Sequence, residues 1–200
     1  MPKNRGAADW QIGSSNATFR VQSLFDVSNR VVLITGGGSG IGSMIAAGFV
    51  ANGARVYIAS RNDCSELAEE LSTRGPGACH ALVLDVAKEE SISACIDELT
   101  AREPDGVGVL VNNAGTNWAE PIETYSQKGW DKVYNVNVRG VFMMIQVRYV
   151  CNGRHCCIVW CAVRACMAVD GALTLSVIWQ LDFRTAGHAA ALGSRELGRG

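Results

Sequence analysis

The residues of this chain best suited to chemistry begin with Thr35-Gly36-Gly37-Gly38-Ser39-Gly40-Ile41-Gly42, a glycine-rich run fed directly by the apolar stretch Val31-Val32-Leu33-Ile34. Glycine has no Cβ, so backbone N–H groups there can close on a phosphate, and a run of β-branched and Leu residues suits a strand covered on both faces. Ser43 to Val50 then reads as a helix whose positive N-terminal end would face the same anion. The chemistry this permits is capture of a dinucleotide's pyrophosphate. An ordinary glycine-rich turn is the alternative, because the glycines fall at Gly36, Gly40 and Gly42 and do not form the strict G-x-G-x-x-G fingerprint.

Further candidates stand where apolar runs end. Ser60-Arg61 follows a strand-like run at the place where an acidic residue would bind a ribose 2′-hydroxyl, and a guanidinium there favours the 2′-phosphate of NADP. NAD is the second choice, and a solvated arginine opening a helix is the competing reading of Arg61. Asp85-Val86 ends another run, where the carboxylate could bond an adenine amine or cap the following helix. Asn112-Asn113-Ala114-Gly115 ends a fourth and would also fit a turn. Cys151, His155, Cys156, Cys157, Cys161 and Cys166 could suggest zinc or redox chemistry. No Cys-x-x-Cys pair occurs among them, and Cys156 to Cys161 reads better as a strand, so no metal site is expected.

These residues need a scaffold that brings the ends of several strands together. Apolar runs at Val31–Ile34, Arg55–Ala59, Ala81–Leu84 and Val107–Val111 alternate with amphipathic segments at Ile41–Asn52, Cys64–Arg74 and Ser91–Arg102. That alternation predicts an α/β fold, a doubly wound parallel sheet with helices on both faces. Asn52-Gly53 closes the first helix, and Lys88-Glu89-Glu90 brings acidic residues to the positive end of the third. Pro121 is expected at a first helical position, and a long helix over about 128–146.

Composition narrows the function classes. A chain of 200 residues, 48% of them hydrophobic, can bury one sizeable core, and a net charge of -1 gives no reason to propose nucleic acid or an anionic membrane as partner. Arg164 and Asp170 interrupt the apolar stretch of the second half before it reaches the ~20 residues of a membrane span. Met1 to Arg30 lacks the apolar stretch of a secretory signal, which makes the cytoplasm the expected location. Lys3, Arg5 and Arg20 would suit a mitochondrial transit peptide, but Asp9 and Asp26 count against one. Cys64, Cys79 and Cys95 read as small buried hydrophobes.

Taken together the motifs resemble the short-chain dehydrogenase/reductase family. Its Thr-Gly-x-x-x-Gly-x-Gly pattern is met by Thr35, Gly36, Gly40 and Gly42, its Asp-Val by Asp85-Val86, and its Asn-Asn-Ala-Gly by Asn112 to Gly115. The segment Trp130 to Phe142 is similar to the family's fourth helix, and the wording is nearest to members like 3-oxoacyl-[acyl-carrier-protein] reductase. The resemblance covers about residues 26–148 and implies a Rossmann-type sheet in three αβα layers. It also implies hydride transfer between NADPH and a small-molecule carbonyl or alcohol, often in homo-oligomers. By the same resemblance the loop of Thr35, Gly36, Ser39, Gly40, Ile41 and Gly42 holds the phosphates, and Ser60 and Arg61 the 2′-phosphate. Asp85 meets the adenine ring and Asn112 lies beside the adenosine ribose, with Val86, Ala114 and Gly115 also among the cofactor-binding residues. Asn137 corresponds to the asparagine of the catalytic tetrad, whose backbone anchors a water in a proton relay.

The family's serine and Tyr-x-x-x-Lys have no counterpart, so the chain is expected to be inactive as written; the alternatives are an NADP-binding non-catalytic fragment and a misfolded gene-model product. The lysines are Lys3, Lys88, Lys128 and Lys132, and Tyr125-Ser126-Gln127-Lys128 has the wrong spacing and precedes Asn137. Residues 149–200 carry five Arg and no Lys, with clustered Cys and Trp. They read as a non-family tail produced by translation out of frame or through an unspliced intron, which leaves the C-terminal part of the sheet missing or replaced. Residues 1–25 form an N-terminal extension. Without a tail strand the fourth strand would have an open edge, and Cys157–Val163 is the segment expected to cover it.

Overall fold

A computed structural model of the chain describes residues 25–148 and the backbone of two strands at 157–161 and 172–173. The N-terminal extension up to residue 24 lies outside the described residues. So do Cys151, His155, Cys156, Arg164, Cys166 and Asp170.

The alternation of strand and helix is present in order: β1 (Val31–Thr35), α1 (Gly40–Ala51), β2 (Arg55–Ser60), α2 (Ser65–Ser72), β3 (Ala78–Val83), α3 (Glu89–Arg102) and β4 (Val109–Asn112). After a two-residue strand β5 (Glu120–Pro121) and a 3₁₀ turn come α4 (Gln127–Tyr134), a π turn over Asn135–Arg139 and α5 (Gly140–Arg148). The last elements are β6 (Cys157–Cys161) and β7 (Ala172–Leu173). The main sheet has the order β3-β2-β1-β4-β6, every pair parallel. Strand order therefore reverses between β1 and β4, and a crevice opens beyond their carboxyl ends.

Alternating side chains of the strands feed two cores, one on each face of the sheet. Leu33, Tyr57, Leu82 and Leu110 pack with Ile92, Cys95, Leu99 and Met144 under α3 and α5. Val32, Ile34, Val56, Ile58, Val109 and Val111 pack with Ala46, Val50, Ala68 and Leu71 under α1 and α2. This is the expected three-layer αβα sheet. All five residues of β1 are buried, as a strand covered on both faces requires. Burial pushes the Cys79 thiol up to about 12 and that of Cys95 to about 11, so both behave as inert apolar groups.

Boundaries differ from expectation where hydrogen bonds outweigh apolar patterning. β3 starts at Ala78, three residues early, because Ala78 pairs with Arg55 and the Cys79 N–H is held by the Ser72 hydroxyl at 2.8 Å. The third helix begins at Glu89, two residues early, with Glu89 and Glu90 in its first turn. Pro121 does not open a helix. It ends β5, which pairs antiparallel with β7, and precedes the 3₁₀ turn Ile122–Thr124. The long helix expected over about 128–146 runs from Gln127 to Arg148 but carries the π turn at its middle. The tail strand joins the sheet as expected: Cys157 stands opposite Val109 and Ile158 opposite Leu110. The register then shifts between Leu110 and Asn112, and Asn112 stands opposite Cys161. Among the described residues no helix is long and apolar enough to cross a membrane.

At the opposite end of the sheet from the crevice, Arg55 at the start of β2 and Glu103 at the end of α3 form a two-point ion pair of 3.0 and 2.9 Å. The Tyr57 hydroxyl donates to the same carboxylate at 2.9 Å. Burial by itself would raise the Glu103 carboxyl, but the Arg55 and Tyr57 hydrogen bonds outweigh it and hold the group below its ordinary 4.5. The stabilisation is thus complete above that value and fades as pH falls through the lower, folded one. Glu103→Gln is expected to cost about 1 kcal/mol at neutral pH, since the Arg55 side chain is 43% exposed and screened. Thermal unfolding midpoints should show the mutant's deficit shrinking as pH falls below the ordinary 4.5 of the carboxyl; a deficit independent of pH would contradict this account.

Candidate functional site

The crevice is an open cleft of about 740 Å³ built from the loops after β1, β2, β3 and β4 and one face of the α4 helix. Its size suits an extended small molecule.

The loop between β1 and α1 forms the floor, and its shape depends on missing side chains. Gly36 has φ +66°, a left-handed backbone that favours glycine, and a Cβ on it would lie 2.9 Å from the Ala114 Cα. A Cβ on Gly42 would press on the Gly36 carbonyl oxygen and stand 2.6 Å from the Asn113 amide nitrogen. Ser39 precedes α1 with no side-chain cap, and the first turn carries no acidic residue. The leading N–H groups and the positive end of the helix dipole are thereby left for an anion in the cleft.

Two residues tie this loop to the one after β4. The Thr35 hydroxyl accepts from the Asn113 and Ala114 N–H groups at 3.1 and 3.0 Å. The Asn113 side-chain amide donates to the Thr35 and Gly36 carbonyls, both at 3.0 Å. Sequence reasoning assigned Asn112 to the site and passed over Asn113. Asn112 is 2% exposed within β4 and absent from the cleft wall, as is Thr35, so both lie beneath the floor. In a strand, neighbouring residues point to opposite faces, and that period could have separated the two asparagines.

At the end of β2, Ser60, Arg61, Asn62 and Asp63 line one end of the cleft. The Asp63 carboxylate is turned away into the start of α2, accepting from the Ser65 hydroxyl and N–H at 2.6 and 3.0 Å, and these bonds hold its pKa below the usual range. Among the described residues no carboxylate pairs with the Arg61 guanidinium. Asp85 lines the cleft with Val86 while also accepting from the Ala87 N–H at 3.1 Å, so the wall position and the turn-capping role coexist.

Asn137 sits inside the π turn and is 3% exposed. Its side chain forms a reciprocal pair with Thr116, accepting from the N–H at 2.9 Å and donating to the carbonyl at 2.8 Å. The π turn faces this amide toward the loop after Gly115, and Gly140 lets the helix cross within 2.6 Å, measured from where its Cβ would be, of the Val86 carbonyl. Gly36, Ser39, Gly40, Ile41, Gly42, Ser60, Arg61, Asp85, Val86, Ala114 and Gly115 therefore share one cleft, with Thr35, Asn112 and Asn137 behind it. The pattern gave no sign of Val136 and Lys132, which complete the wall from the α4 side.

A family model described as short chain dehydrogenase matches residues 30–166. The chain belongs to that family. The match runs through β6, the strand that pairs with β4. Among relatives, the rhamnolipids biosynthesis 3-oxoacyl-[acyl-carrier-protein] reductase of Pseudomonas aeruginosa is 41% identical over 127 residues, covering 61% of this chain and 47% of that protein. The Pseudomonas aeruginosa RhlG/NADP active-site complex superposes with a TM-score of 0.58 at 39% identity, covering 62% of this chain and 48% of that one. An NADH-dependent reductase, A1-R', solved with NAD, gives 0.58 at 29% identity, covering 62% and 52%. This short-chain dehydrogenase chain thus spans about half the length of the relatives it matches.

Proposed function

We propose that the chain holds NADP(H) in this cleft as the cofactor-binding part of an oxidoreductase acting on a small carbonyl or alcohol. The residues present fit a dinucleotide: Gly36 and Gly42 leave a cradle that Cβ atoms would fill, and the uncapped start of α1 faces it. In that role Thr35 and Asn113 hold the glycine loop rigid, Asp85 and Val86 flank the adenine, and Ala114 and Gly115 border the ribose. Asn137 fixes the backbone at Thr116 and keeps the loop after β4 in place. When bound, the nicotinamide supplies or accepts the hydride. Within the 200 residues, however, no Tyr-x-x-x-Lys exists to carry the proton.

The observation that carries the preference for NADP is Arg61. Some solved neighbours hold NADP or NADPH and another holds NAD, so the fold does not decide between them. In the loop after β2 the Asp63 carboxylate is committed to the start of α2, while the Arg61 guanidinium has no carboxylate partner among the described residues. A guanidinium can take a phosphate by paired hydrogen bonds, each charge-assisted contact worth about 1.5–3 kcal/mol. Arg61→Ala is expected to weaken NADPH about tenfold or more in calorimetric titration and to leave NADH within about twofold. Equal or tighter binding of NADH by the unaltered chain would sink the NADP assignment.

A further inference from the structure

The loop after Gly115 closes on Trp118. The Tyr125 hydroxyl donates to the Trp118 carbonyl at 3.3 Å, and the Glu120 carboxylate accepts from the Ser126 N–H at 2.7 Å. The indole lies against α4 where that helix has no side chain: a Cβ on Gly129 would stand 2.6 Å from the ring nitrogen and 2.8 Å from Cγ. Two ammonium groups flank the same ring, Lys132 Nζ at 5.0 Å and Lys128 Nζ at 5.9 Å from its centroid. Neither has a carboxylate within ion-pair distance among the described residues. Only Lys132 lines the cleft.

The cleft lining carries two cations, Arg61 and Lys132, and two carboxylates, Asp63 and Asp85. Asp63 is satisfied by Ser65, and Asp85 by the Ala87 N–H and by Lys88 at 3.8 Å. Among the described residues, neither Arg61 at one end nor Lys132 on the α4 wall has a carboxylate within ion-pair distance. A cation on the wall of a low-dielectric cleft with no carboxylate beside it attracts a polyanion locally. A lysine resting on an aromatic face is also partly ordered in advance, which reduces the entropy it loses on binding.

We propose that Lys132, seated on Trp118, is a second cationic anchor for the dinucleotide, one that strengthens NADPH and NADH alike. The proposal rests on the dinucleotide reading of the cleft. Arg61 would discriminate between the two cofactors, whereas Lys132 acts on the charge they share. Trp118 is a positioning residue, acting through Lys132.

Calorimetric titration of the full chain with NADPH and with NADH, repeated over a range of salt concentrations, tests this. Lys132→Met, which keeps the apolar stem on the ring, should weaken both cofactors by the same factor, roughly three- to tenfold, and flatten the salt dependence of each. Lys132→Arg should retain affinity, and Lys128→Met should leave it within about twofold. Trp118→Leu should reproduce the Lys132→Met loss. If that variant does not fold, the Lys132 series decides alone. Unchanged affinities in Lys132→Met would overturn the proposal, as would a loss confined to NADPH. Failure of the unaltered chain to bind either cofactor would overturn the dinucleotide reading with it, whereas an unselective Arg61→Ala would overturn the NADP assignment alone.

Discussion

Gly42→Ala is expected to abolish measurable dinucleotide binding and to lower stability by about 1–3 kcal/mol. The added methyl has nowhere to go. It would press on the Gly36 carbonyl oxygen and sit 2.6 Å from the Asn113 amide and 2.9 Å from the Gly37 Cα, and two of these three are backbone atoms. Asn113 is itself held by the Thr35 and Gly36 carbonyls, so relief at one point breaks the tie between the loops after β1 and β4. Gly48 provides the control on the same helix, since a Cβ there meets nothing within 4 Å. Gly48→Ala should therefore be neutral or stabilise by up to about 1 kcal/mol, through helix propensity. Chemical denaturation of both variants, with NADPH titration alongside, checks the pair. Equal effects from the two substitutions would show that close packing at Gly42 is not what shapes the loop.

Much of this arrangement was legible in the chain because two periods coincide in it. Val31 to Ile34 is apolar at every position, and the structure buries all four of these residues by sending alternate ones to opposite cores. The glycine run, the strand ends at Ser60, Asp85 and Asn112, and the segment over Asn137 converge because parallel strands place their carboxyl ends together. What pattern could not give was set by hydrogen bonds between residues far apart in the chain. Asn113, not Asn112, turns its amide into the glycine loop, a fact fixed by carbonyls more than seventy residues away. The π turn has no mark in the apolar spacing of Lys132, Val136 and Gly140. It shows only when the Asn137 amide pairs with Thr116. Pro121 misled for a similar reason, since its partner strand at Ala172–Leu173 is distant in sequence. Lys132 carried no site assignment in the sequence, and only its place beside Trp118 and Gly129 sets it on the cleft wall.

Carbonyl-dependent oxidation of NADPH by this chain is expected to fall at least about 10²–10⁴-fold below that of a family reductase that has its proton donor. The described tyrosines offer no substitute. Tyr57 is pushed up to about 12 by burial and donates to Glu103 at the far end of the sheet from the cleft. The Tyr125 hydroxyl is spent on the Trp118 carbonyl, and Tyr134 is absent from the cleft wall. Among the lysines, Lys132 lines the cleft but rests on Trp118, and no tyrosine stands four residues before it. Asn137 has both side-chain polar atoms occupied by Thr116 and cannot deliver a proton. Binding and turnover should accordingly separate: the floor and the cations of the cleft remain, while the group that completes the reaction is absent from these residues.

One measurement reaches that separation directly. The chain is titrated with NADPH by calorimetry, and the saturated sample is then challenged with small ketones, aldehydes and 3-oxoacyl thioesters while the absorbance of the reduced cofactor is followed. Saturable one-site binding, tighter for NADPH than for NADH, with no carbonyl-dependent loss of absorbance, is the predicted result. Turnover within tenfold of an intact family reductase, or no saturable binding at all, would contradict it.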